Sequence, residues 1–128
     1  CQHHTRRNPH HWEYWTDFFN GRILMKTMPY KWASEYVCDM LSASKTYDPE
    51  HFEPATTLAY FRSKSAHYYM TTATREYVDW CLDTYAKNGW KGLKKKTTKA
   101  KYLEITAKYP DVEVCEELRL EGELPPLP

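Results

Sequence analysis

The stretch ATREYVDWCLDTYAK, residues 73–87, places Tyr77, Val78, Cys81, Leu82 and Tyr85 where a helix would gather them on one face. The i, i+4, i+8 recurrence is that of a core-facing helix, and Asn88-Gly89 supplies the left-handed stop that ends one. Working towards the N-terminus, Pro54 opens a second helix that carries Leu58, Phe61 and Ser65 inward. It follows a loop from Tyr47 to Glu53 marked by Asp48-Pro49. Met28-Pro29 begins another helix, with Trp32, Ala33, Tyr36, Val37 and Met40 as its apolar stripe. At about 100° per residue Asp39 falls within about 20° of Trp32, so a carboxylate is expected at a buried edge, where it needs a partner.

The two ends of the chain read less simply. Asn8-Pro9 resembles a helix start, because asparagine caps free amides and proline suits the first helical position. Trp12, Trp15, Phe18 and Phe19 follow at helical spacing, and Asn20-Gly21 reads as the stop, giving a predicted helix of about three turns. Past Gly92, a short helix is expected from Thr98 to Tyr109, with Tyr102, Ile105 and Tyr109 on one side and Pro110 ending it. No stretch alternates with period two for long enough to argue for a sheet. The expected architecture is therefore all-α: a compact bundle of four to five helices over residues 1–110, then an irregular, acidic, Pro-rich tail over residues 111–128.

At 128 residues the chain fits one core, and 18 basic against 17 acidic side chains leave a net charge of +1. Bulk electrostatics therefore gives no reason to expect a nucleic acid or a membrane as partner. Eleven tyrosines and five tryptophans supply large rings with polar tips, which suits a core built around a polar site. Cys1, Cys38, Cys81 and Cys115 form no CxxC pair, and reduced thiols in a cytoplasmic protein are expected. No apolar run approaches the roughly 20 residues that span a bilayer. A first residue of cysteine rather than methionine leads to the expectation that the sequence begins inside a longer reading frame.

Chemistry is expected where histidine concentrates. His3, His4, His10 and His11 are four of the six histidines and flank the predicted helix start. The positive end of a helix dipole disfavours imidazolium and so favours the neutral, metal-binding form. Asp39 completes a set of imidazoles and one carboxylate that suits a divalent ion such as zinc, manganese or iron, with open positions for water. The plain reading weighs about equally: such histidines often cap or stack, and Asp39 could accept from a tyrosine, since no fixed spacing such as HExxH is present. His51 and His67, alone in sequence, are expected to be ordinary residues, and Cys38 points about 100° away from Asp39 around its helix.

The residues HHTRRNPHHWEYW (3–15), Met28-Pro29 and Glu35-Tyr36-Val37-Cys38-Asp39 together resemble the signature of an uncharacterised family of small helical proteins, a domain of unknown function. The likeness covers roughly the first half of the chain. That family in turn resembles compact HD-domain metal-dependent phosphohydrolases, with a His-Asp-x-Ser-Lys motif ahead of this segment. The resemblance implies an HD-like helical fold, a divalent ion (Zn, Mn, Fe or Mg) and a small phosphorylated substrate, a nucleotide or another phosphate ester. It matches Asp39 to the distant metal-binding aspartate of HD domains, and His4, His10 and His11 to the added histidines of multi-metal members. No His-Asp pair occurs in the chain, so that part is expected upstream or from another subunit of an oligomer. Arg6 and Arg7, with Lys45 behind them, are the expected phosphate contacts, although a plain surface role is the commoner one for each.

A second, non-catalytic reading rests on Lys91, Lys94, Lys95, Lys96, Lys99 and Lys101, a basic run beside Trp90 that could contact a protein partner or phosphate backbone. Nucleic acid is the less favoured partner, because Asp111, Glu113, Glu116, Glu117, Glu121 and Glu123 downstream are expected to neutralise the run.

Overall fold

The computed structural model describes residues 9–116. A 3₁₀ turn at Trp12–Trp15 leads into strand β1 (Thr16–Phe19), which turns back into β2 (Arg22–Lys26). Helices α1 (Tyr30–Tyr47), α2 (Thr56–Lys64), α3 (Thr72–Asn88) and α4 (Lys95–Lys108) follow, and β3 (Val112–Glu116) returns to the sheet. The protein is mostly helical, but a three-stranded antiparallel sheet in the order β1-β2-β3 stands beside the helices, which corrects the all-α expectation.

The predicted helix over residues 9–19 is replaced by the short 3₁₀ turn and β1. One turn of 3₁₀ helix already satisfies the i, i+3 spacing of Trp12 and Trp15. Asn20-Gly21 then acts as a hairpin turn: both residues have positive φ, 49° and 72°. Two successive left-handed residues give a turn whose twist matches that of the flanking strands. Phe19 pairs with Arg22 and Thr16 with Met25, and along β2 only Ile23 and Met25 are buried. The dipeptide serves a helix stop and a hairpin equally well, and the pairing of the two flanking segments decided between them.

The tail is corrected in the same way, since residues 112–116 form β3, with Ile23 opposite Cys115 and Met25 opposite Glu113. The strand is hard to see in the sequence because its more buried positions are Glu113 and Cys115, whereas Val112 and Val114 are exposed. Glu113 acts as a cap: its Oε1 accepts from the Thr72 amide at 2.8 Å, at the start of α3.

The predicted helical stripes hold. Ala33, Tyr36 and Val37 of α1, Leu58 and Phe61 of α2 with Ser65 just beyond it, and all five α3 positions from Tyr77 to Tyr85 are buried. Trp32 and Met40 are only partly buried. Helix α4 begins at Lys95, earlier than expected, and buries Ile105. Threonine hydroxyls join the sheet side to the helices. Thr27 meets Thr71 at 2.7 Å, the Met28 amide donates to Thr74 Oγ1 at 3.0 Å, and Thr16 donates to the Tyr69 carbonyl at 2.6 Å. Tyr102 donates its hydroxyl to the Met28 carbonyl at 2.7 Å, tying α4 to the entry of α1. No helix among the described residues is long and apolar enough to cross a membrane.

Candidate metal centre

The turn that carries His10 and His11 is pinned on both sides. Trp15 Nε1 donates to the Pro9 carbonyl at 2.7 Å, and the Tyr14 amide donates to the His11 carbonyl at 3.2 Å. Trp12, 5% exposed, stacks on Tyr68 at 5.3 Å and meets the edge of Tyr69 at 6.3 Å. Burial of a ring that size fixes the backbone next to it. The two imidazoles lie tilted at 33° with centroids 4.6 Å apart.

Asp39 approaches from α1, its Oδ2 3.9 Å from His10 Nε2. One ligand atom each from His10, His11 and Asp39 lie within 4.8 Å of one another. The sequence thus named three residues that the fold brings together. Two details differ. His11 is extended (φ −105°, ψ 142°) and caps a 3₁₀ turn of four residues, so the α-helix dipole invoked for the histidines is not there. The Asp39 side chain is 50% exposed rather than at a buried edge, because Trp32, its neighbour around the helix, is itself only partly covered.

His3, His4, Arg6 and Arg7 lie outside the described residues. Lys45 is exposed on α1. His51 Nδ1 sits 2.9 Å from Asp48 Oδ1, and His67 is exposed, so neither joins the site. Burial and the nearby Glu35 charge push the Cys38 thiol up, against a role as nucleophile. In the lysine run, Lys91, Lys94, Lys95, Lys96 and Lys99 are exposed, whereas Lys101 pairs with Glu104 at 2.8 Å. Of the acidic residues expected to neutralise the run, Asp111 pairs with Lys26 at 3.5 Å and Glu113 lies at the start of α3, whereas Glu117, Glu121 and Glu123 lie outside the described residues.

Sequence reasoning missed a polar group next to this turn, formed by Glu13, Tyr36, Tyr60, Tyr68 and Arg75. Burial raises the Glu13 carboxyl above its ordinary value. Burial is also the first cause of the raised Tyr36 and Tyr68 phenols, and the Glu13 charge adds to both. Arg75 donates to the carbonyls of Ser65 at 2.6 Å and Tyr68 at 2.9 Å, and its charge opposes the rise at Tyr36. Spacing places Tyr36 in the core, and nothing local links Glu13 to Arg75.

Two imidazole nitrogens and a carboxylate oxygen suit zinc, manganese or iron better than magnesium, which prefers oxygen ligands. Zinc–ligand distances of about 2.0–2.2 Å place neighbouring ligand atoms about 3.3 Å apart. The 3.9 Å between His10 and Asp39 and the 4.8 Å within which all three ligand atoms lie are wider than that, and side-chain rotation, freest at the half-exposed Asp39, would have to close them. By donor type, the three residues could hold a divalent ion.

A sequence profile for a family of unknown function (DUF5662) matches residues 1–104, from the N-terminal histidines into α4. No curated protein and no solved structure matches the chain.

Proposed function

The chain belongs to this family of unknown function, and from that premise and the geometry at the pinned turn we propose that it is a divalent-metal protein of HD-like type that hydrolyses phosphate esters. The supporting observation is the convergence of His10, His11 and Asp39 from two separate stretches of chain. In this reading His10, His11 and Asp39 would hold the ion. When bound, such an ion would supply a water of lowered pKa and polarise a phosphoryl oxygen.

The protein's own groups do the positioning. Trp12 and Trp15 pin the turn that carries the imidazoles, which lowers the backbone ordering that binding requires. The sequence offers His3 and His4 as candidate further ligands and Arg6 and Arg7 as candidate contacts for phosphate oxygens.

Metal analysis of the purified chain tests the proposal, together with His10→Ala and Asp39→Ala. Stoichiometric zinc, manganese or iron in the parent, lost in both variants, is the expected result. A parent that binds none of them after incubation with each ion overturns it.

A further inference from the structure

Between Asp83 and Glu104 the chain has seven lysines and no aspartate or glutamate, so this stretch cannot balance its own charge. The two flanking carboxylates serve only its ends: Asp83 pairs with Lys87 at 3.0 Å and Glu104 with Lys101 at 2.8 Å. Lys91, Lys94, Lys95, Lys96 and Lys99, between them, are exposed and have no ion pair among the described residues. Downstream, Asp111 faces Lys26 and Glu113 the start of α3. Five ammonium groups so concentrated repel one another, which an anionic partner relieves.

Trp90 stands beside these lysines on a well-anchored 3₁₀ turn, Gly89–Gly92. Gly89 redirects the chain with φ +69°, and a Cβ at Gly92 would meet Thr84 Cγ2 at 2.8 Å, so the turn lies directly against α3. The Leu93 amide donates to the Trp90 carbonyl at 2.9 Å, and the Tyr85 ring packs against the indole at 69° with centroids 5.0 Å apart. The indole nevertheless stays 51% exposed. Trp90 and Lys95 line one cleft of about 250 Å³ between α1, α3 and the start of α4, so the ring and the first lysine of α4 are neighbours. The hydroxyls of that cleft are used among themselves, Ser34 with Tyr77 at 2.8 Å and Tyr30 with Thr98 at 2.7 Å. A flat group stacked on the indole is held by its face, with no array of polar groups reading its edge.

We infer that Trp90 and the five unpaired lysines form a binding surface for single-stranded nucleic acid, with the lysines on phosphates and a base stacked on the indole. Charge complementarity calls for a chain of phosphates, and the ring selects the single strand, because a base inside a duplex has both faces already stacked. Recognition through a base's face rather than its edge makes the surface tolerant of sequence. An anionic membrane fits less well: interfacial helices insert a broad apolar face, whereas between residues 95 and 100 α4 exposes only lysine, threonine and alanine. The surface is independent of the metal-centre reading.

The test titrates the full chain into a short labelled oligothymidylate and follows anisotropy, with a chelator present so that no ion at His10, His11 and Asp39 contributes. Five lysine–phosphate contacts give a log–log salt slope of about −3.5, so binding is expected to weaken on the order of 100-fold between about 50 and 200 mM salt. Trp90→Ala should weaken binding about tenfold without changing that slope, and Trp90→Phe should keep most of the affinity. Lys94→Gln combined with Lys96→Gln should make the slope shallower by about 1.4. All three positions are exposed, so the fold is expected to stand. Binding of a duplex of the same length should be indifferent to Trp90→Ala. A parent that leaves the oligonucleotide free at about 50 mM salt overturns the inference. So does an affinity that Trp90→Ala does not change, or binding to vesicles of anionic phospholipid in place of the oligonucleotide. Zinc content tests the metal centre separately and is expected to be the same in every variant.

Discussion

Thr57 has a hydroxyl that folding removes from water without giving it a partner. Valine has nearly the same shape and no such group, so Thr57→Val is expected to raise stability by about 1 kcal/mol in chemical denaturation, the lower end of the cost of an unsatisfied buried donor. Glu13 carries a different cost, because burial disfavours its charged form and lifts its folded pKa above the ordinary 4.5. For a raised carboxyl the contribution is fully present below the unfolded value and is lost as pH rises through the folded one. Stability measured against pH should therefore fall over the interval starting near 4.5, and Glu13→Gln should flatten that fall. A profile unchanged by the substitution would show that the carboxyl is solvated.

At the level of elements, the hairpin is the part most exposed to a single change. Gly21 has φ +72° and nothing within 4 Å of where a Cβ would stand, so Gly21→Ala meets no clash and only the backbone penalty. The expected loss is about 1–2 kcal/mol, the usual cost of a left-handed conformation for a residue with a Cβ. Metal content should not change, since the histidine turn is held by Trp12 and Trp15 rather than by the hairpin tip. Helix α3 has the opposite character. Thr71 accepts from the Thr74 amide at 3.2 Å as its N-cap, Gly89 ends it with φ +69°, and its apolar face is buried along its length. Propensity, capping and packing agree there, which is why that stretch could be read from sequence alone.

For the molecule as a whole, the sheet connects the two ends of the described chain. β3 pairs with β2, the Thr27 amide donates to the Asp111 carbonyl at 2.8 Å, and Glu113 caps α3. A chain cut after residue 110, the domain boundary expected from sequence, should lose all three and leave an unpaired β2 edge, detected as a lower melting temperature and concentration-dependent association. Ile23 is fully buried on the same strand, and Ile23→Ala should cost about 2–5 kcal/mol, as large-to-small changes in a packed core do. Metal should act in the other direction. Zinc at about 100 times its dissociation constant is expected to stabilise the fold by about 2.7 kcal/mol, and a chelator should reverse it. A melting temperature indifferent to zinc would argue against a site in the folded chain.

The order of the four helices and the buried face of each could be read from residue type and spacing, because a helix satisfies its backbone within one segment and displays its pattern locally; of the five residues named for a metal, the fold brings His10, His11 and Asp39 together, and His3 and His4 lie outside the described residues. The tertiary structure alone decided the sheet, the strand in the acidic tail, the degree to which Asp39 meets solvent, and the grouping of Glu13 with Tyr36 and Arg75. The third strand, the Glu113 cap and the Glu13 group depend on residues far apart in the chain, whereas the β1–β2 hairpin is local and was ambiguous because an Asn-Gly turn serves a helix stop or a hairpin alike. Local sequence carries the energy of local contacts, and the rest is set only when the folded chain brings distant groups together.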